Sequence, residues 1–168
     1  MKNQNAFSLI EVLATLVVAG VLVSVALPNM RNFIMNNRIS AKTNELVKAI
    51  NFARMESISY PNVQFLITPY DGKNWTSGCQ IGKDTNSNQI LEDSEVIKVF
   101  NFKADQVAIT NPASLINYAS RGRVRMPAGS TSIDFTICNS QDPQRHPNGR
   151  KVIIAPTGRV SSENIKCS

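Results

Sequence analysis

The chain has 168 residues with 8 Gly and 8 Pro, a composition that excludes collagen-like sequence and bulk disorder and suits one ordinary domain. Its formal charge of +6 is unevenly placed: residues 1–120 carry 10 basic and 9 acidic groups, whereas residues 121–168 carry a net of +5. A lone His146 excludes His-rich metal sites and leaves little room for a His-based triad, and three cysteines without CxxC spacing exclude zinc-ribbon and thioredoxin-like motifs.

Phe7 to Leu27 is a run of 21 residues with one charge, Glu11. At 1.5 Å per residue a helix of that length spans about 31 Å, the thickness of a hydrocarbon core. A cleaved secretory signal has a shorter apolar core and a small-residue site after it, and here Pro28 follows instead. A plain signal anchor fits the length but not a carboxylate in the first turn, because an intramembrane charge calls for a specific partner. The alternative is a Glu11 that lies at the membrane interface.

The stretch Ala6-Phe7-Ser8-Leu9-Ile10-Glu11 resembles the cleavage motif of type IV prepilins and type II secretion pseudopilins, with Ala6 where Gly is usual. Pro28, the twenty-second residue counted from Phe7, stands where many pilin helices carry a proline. The resemblance implies a leader of residues 1–6, cleavage between Ala6 and Phe7 by a prepilin peptidase, and N-methylation of Phe7. It also implies that Glu11 compensates the N-terminal amine of Phe7 in a neighbouring subunit, which accounts for a carboxylate in an apolar helix.

After Pro28 the pattern becomes amphipathic. Ile39, Thr43, Leu46, Ile50 and Ala53 recur at helical steps, and Arg38, Lys42, Glu45, Lys48 and Glu56 mostly fall off that stripe. Pro61 ends the helix near Ser59 or Tyr60. The pattern predicts one helix over residues 7–60, with residues 7–27 in the membrane or filament core, and a β-rich head over residues 61–168. Ala49–Ile58 resembles the YARSEA region of the GspH/FimT branch of minor pilins and pseudopilins. The Trp75 and Gly78 pair followed by Asp84 and Asn86, and the late Gly158-Arg159 pair, resemble other features of that branch.

Strands are predicted over Val63–Thr68, Val96–Phe100, Ser132–Ile137 and Lys151–Ile154, which are rich in β-branched and aromatic residues. Asp71-Gly72, Pro127-Ala128-Gly129, Asn148-Gly149 and Thr157-Gly158 read as turns, and Cys79 falls in a further strand-like stretch. The expected fold is α+β: one long helix with an apolar first half, its second half packed on an antiparallel sheet.

The segment from Asp84 to Glu95 comes near an EF-hand pattern, with Asp84, Asn86, Asn88 and Glu95 as calcium donors, but Gln89 stands where Gly makes the turn. An Asx-rich hairpin loop is the other reading. The basic excess is Arg121, Arg123, Arg125, Arg145, Arg150, Lys151, Arg159 and Lys166. If Arg121, Arg123 and Arg125 lie on a strand, they share one face. Resemblance to DNA-uptake members of the FimT type implies phosphate contacts from Arg121, Arg123, Arg125, Arg145, Arg150, Lys151 and Arg159. There Ser161 replaces the second Arg of the family's GRxR at Gly158, and the literal motif lies at Gly122–Arg125. The other reading is a solvated basic surface. A Cys138–Cys167 disulfide would close a loop of about 28 residues, worth roughly 3 kcal/mol; pairing through Cys79 is an alternative.

No nucleophile, phosphate loop or cleft marks the sequence, so the expectation is a structural protein without cofactor and not an enzyme. On the family resemblance it is a minor pilin that primes or caps a type IV pilus, held in the inner membrane with a periplasmic head and then placed at the tip. Its partners are other minor pilins, the major pilin and the prepilin peptidase. DNA capture in natural transformation is compatible with that role, and a type II secretion pseudopilin is the alternative.

Overall fold

The computed structural model describes residues 8–102, 106–111 and 113–167, the side chains of residues 28 and 29 excepted. Ala6, Phe7 and the Pro28 side chain, all named above, lie outside the described residues. The chain divides into two compact units, one ending at Met35 and the other beginning at Asn36. Helix α1 (Leu9–Ser59) has 51 residues. It stops ahead of Pro61 as the sequence predicts, with Tyr60 N–H still donating to the Glu56 carbonyl at 2.9 Å.

In the first unit every side chain from Leu9 to Leu27 is exposed. The segment is long and apolar enough to cross a membrane by length and composition. Its hydroxyls turn back onto its own backbone: Thr15 Oγ1 donates to the Val12 carbonyl at 2.8 Å and Ser24 Oγ to the Val21 carbonyl at 2.7 Å. A helix that satisfies its polar side chains internally can meet lipid on all sides.

In the second unit α1 buries the stripe read from the sequence: Ile39, Thr43, Leu46, Ile50 and Ala53 are all 3% exposed or less. Lys42 departs from that reading. It is 2% exposed and its Nζ reaches the Val107 carbonyl at 3.3 Å. A long alkyl stem can cover apolar surface while its head finds a backbone acceptor.

Among the described residues nine strands follow: β1 (Gln64–Pro69), β2 (Gly78–Asp84), β3 (Val96–Asn101), β4 (Val107–Thr110), β5 (Ile116–Tyr118), β6 (Val124–Arg125), β7 (Ile133–Asn139), β8 (Asn148–Ile154) and β9 (Val160–Lys166). They form two antiparallel sheets rather than one, in the orders β3-β2-β1-β5-β6 and β4-β7-β8-β9. A short 3-10 turn, Trp75–Ser77, joins them. The Trp75 indole meets Phe135 of β7 edge-on at 5.0 Å and donates to the Ala113 carbonyl at 2.9 Å, while Ile109 N–H donates to the Thr76 hydroxyl at 3.0 Å. Phe65, Ile67, Ile81, Ile116, Phe135 and Ile137 are fully buried, each worth about 1.5–3 kcal/mol over exposure.

Asn148-Gly149 is not the turn expected of it; both residues belong to β8. A Cβ at Gly149 would collide with the sulfur of Cys167 and the carbonyl of Ile137, so this strand position takes Gly to let another chain segment pass close.

Candidate functional site

Glu11 lies in the first turn of α1, where the helix dipole favours a carboxylate. It is exposed, with no cationic partner among the described residues. Its own N–H donates to the Ser8 carbonyl at 3.0 Å.

The loop between β2 and β3 uses its calcium candidates on itself. Asp84 Oδ1 accepts from Asn88 N–H at 3.2 Å and Oδ2 from Gln89 N–H at 3.1 Å. Glu95 Oε1 accepts from the Thr85 hydroxyl at 2.6 Å and the Thr85 N–H at 2.8 Å, and these bonds hold its carboxyl below the usual carboxylate range. Asn86 Oδ1 accepts from Asn88 N–H at 3.0 Å, and Asn88 Oδ1 from Ile90 N–H at 2.7 Å. These are the Asx turns of a hairpin loop. Among the described residues no three of His, Cys, Asp or Glu are grouped so that they could hold a metal ion, and all four calcium candidates are engaged in hydrogen bonds within the loop.

The disulfide joins Cys138 at the end of β7 to Cys167 just after β9, with Cα atoms 6.0 Å apart. Cys79 is the free cysteine, buried in β2, and desolvation pushes its thiol up to about 12. The bridge anchors β9, whose Ser161–Asn164 stretch is wholly exposed and brings no apolar side chain to the core.

The basic residues separate into distinct places. Arg121 occupies a 3-10 turn at φ 62°, and only Val124–Arg125 of the Arg121–Arg125 segment is strand, so the single-strand alternation is corrected. Arg121, Arg123 and Arg125 are nevertheless all exposed, around buried Gly122 and Val124. Arg159 follows the β8–β9 turn, in which Gly158 N–H donates to the Ala155 carbonyl at 2.8 Å. That turn rests directly on the first: a Cβ at Gly158 would strike the Gly122 carbonyl, and Val124 N–H donates to the Pro156 carbonyl at 3.0 Å. Both glycines have positive φ, +71° and +74°. The two Gly-Arg motifs, 36 positions apart in sequence, therefore form one junction.

Arg54 of α1 belongs to the same junction, and no local sequence signal marks it, because it reaches the C-terminal turns from the helix only through the fold. Its side chain passes beneath Gly122, and its Nε is buried with no hydrogen-bond partner among the described residues. Burial pushes the nearby Tyr118 phenol up, and the Arg54 charge works against that shift.

The remaining candidates lie elsewhere. Arg145 is in the β7–β8 connection, and the seven residues of β8, roughly 20 Å of strand, separate that end from Arg159. Lys151 faces the side of β8 opposite to Arg150 and makes an ion pair with Asp134 at 2.7 Å. That contact lowers the Asp134 carboxyl and raises the Lys151 ammonium. Arg150 shares the buried face of β8 with Val152 and Ile154. The seven residues expected to act as one basic region are thus a junction cluster plus three separate cations.

A family model described as type II transport protein GspH matches residues 42–158, and one described as the prokaryotic N-terminal methylation motif matches residues 1–27. Among curated proteins none matches. Two crystal structures of the type IV minor pilin FimU of Pseudomonas aeruginosa (strain PAO1) are similar in fold. One has a TM-score of 0.57 at 20% identity, covering 78% of this chain and 92% of that one. The other has a TM-score of 0.55 at 18% identity, covering 74% and 92%. The chain belongs to the GspH family, the minor pilins and pseudopilins of type IV pili and type II secretion, and carries that class's apolar N-terminal anchor.

Proposed function

We propose that the protein is a minor pilin of a type IV pilus that primes or caps filament assembly from the tip. The observation that supports this reading is the likeness in fold to FimU, described as a type IV minor pilin, over 78% of this chain and 92% of that one. Residues 1–6 are the leader, removed by a prepilin peptidase between Ala6 and Phe7, and Phe7 is then N-methylated. Residues 7–27 anchor the chain in the inner membrane before assembly, with residues 61–168 in the periplasm. Glu11 compensates the Phe7 amine of a neighbouring subunit, and Pro28 marks the change from membrane segment to amphipathic helix. The neighbours are other minor pilins and the major pilin.

A second role is DNA capture. The support is the contact between Gly122 and Gly158, which gathers Arg121, Arg123 and Arg159 with Arg125 and Arg54. Clustered arginines attract a phosphate backbone without reading sequence, and such binding weakens steeply with salt. The pseudopilin reading is kept because the matching family model is described by type II transport.

Deletion of the gene with scoring of twitching, transformation and exoprotein secretion separates these readings. Loss of twitching with intact secretion is expected; loss of secretion with intact pili would assign the protein to the secretion machine. In a gel shift with the full chain, neutral replacement of Arg121, Arg123 and Arg159 is expected to abolish salt-sensitive binding. An unchanged shift would leave the cluster as a solvated surface.

A further inference from the structure

Residues Asn36 and Ser40 of α1 face β8 and β9 across a cavity of about 320 Å³. Asn148, Arg150 and Asn164 line it from the strands, and Ile39 of α1 also borders it. Arg150 is the one charged residue in this lining, no acidic residue joins it, and its guanidinium has no hydrogen bond or ion pair among the described residues. The nearest acid along β9, Glu163, pairs across the strands with Lys151 and so belongs to the other face.

Two adjacent cations are thus treated oppositely. Lys151 is neutralised within the head by Asp134, whereas Arg150 is half-buried among amides and a hydroxyl, without a counter-charge. A half-exposed guanidinium with no partner among the described residues is available to pair with an anion from outside the head. The guanidinium offers a planar fork of donors, and the Asn and Ser side chains add more. That set suits a carboxylate. A phosphate backbone would call for a row of cations, and this cavity has one.

We infer that this cavity receives the carboxylate of an Asp or Glu side chain from a neighbouring pilin subunit, with Arg150 as its anchor. The inference rests on the filament reading above. It gives Arg150 a role in subunit contact and not in DNA capture.

The test places a benzophenone amino acid at the exposed Asn37, next to the cavity, in the full chain in cells that assemble filaments, and maps the photo-cross-linked peptide by mass spectrometry. The expected result is a pilin peptide carrying Asp or Glu. The cross-link should fall about tenfold or more in R150E and R150Q and persist in R150K, because the lost contact is a charge-assisted pair. Replacing the mapped acid by Lys should restore the yield in R150E. The Cys138–Cys167 bridge, checked in each variant, reports that the head has folded. A cross-link that ignores charge at position 150, a peptide without an acid, or a nucleic-acid adduct would overturn the inference. Absence of the protein from filaments would instead refute the filament reading.

Discussion

Gly158→Ala tests whether the two Gly-Arg turns form one junction. Gly158 has φ +74°, where an alanine is disfavoured by about 1–2 kcal/mol. Its new Cβ would also overlap the Gly122 carbonyl, which is backbone and cannot swing aside. Separating the turns would further cost the Val124 N–H to Pro156 carbonyl bond, about 1 kcal/mol. The total is about 2–3 kcal/mol. Gly129→Ala is the control, because Gly129 has φ +77° but nothing within 4 Å of a Cβ; it carries the backbone cost alone. Trp75 is the one tryptophan and is buried in the head, so its fluorescence follows urea unfolding of the full chain in detergent. A deficit of Gly158→Ala over Gly129→Ala of at least about 1 kcal/mol is expected. Equal midpoints for the two variants would refute the packing of these turns.

Three further outcomes follow from the head. Replacing Cys138 and Cys167 by Ser releases a loop with a sequence separation of 29, and the urea transition should lose about 3.5 kcal/mol; an unchanged midpoint would mean that strand pairing alone holds β9. The Lys151 contact lowers the Asp134 carboxyl, so its stabilisation is complete above the ordinary Asp value near about 4 and fades as pH falls through the depressed native value. D134N should therefore flatten the acid limb of a pH–stability curve, and an unaltered limb would remove the pair from the account. The Cys79 thiol, buried and raised to about 12, should resist iodoacetamide at pH about 8 until urea unfolds the head; rapid native alkylation read by mass spectrometry would contradict its burial.

The helix was legible because one physical rule governed each stretch: apolar on all sides to Leu27, then a stripe at helical spacing, then Pro61. The long strands β7 and β8 showed as β-branched runs. β5 and β6, with three and two residues, were not legible, because so short a strand is made by pairing rather than by a pattern of its own. β9 was hidden for a related reason: Ser161–Asn164 is polar, and β8 with the disulfide holds it in place. The division into two sheets depended on Trp75 and Thr76, whose partners are more than 30 residues away. At the candidate site, residue types were readable and directions were not. Arg150 and Lys151 are neighbours in sequence, yet strand alternation sends one to the cavity and the other to Asp134. The junction was invisible because it needs Gly122 and Gly158 together, with Arg54 arriving from the helix.

If this chain is processed and built into a filament as a pilin subunit, the mass of the N-terminal peptide from sheared, purified filaments records both events. The expected peptide begins at N-methylated Phe7, with the six leader residues gone. A filament-derived peptide that still begins at Met1, or one that begins at an unmethylated residue other than Phe7, would contradict that processing.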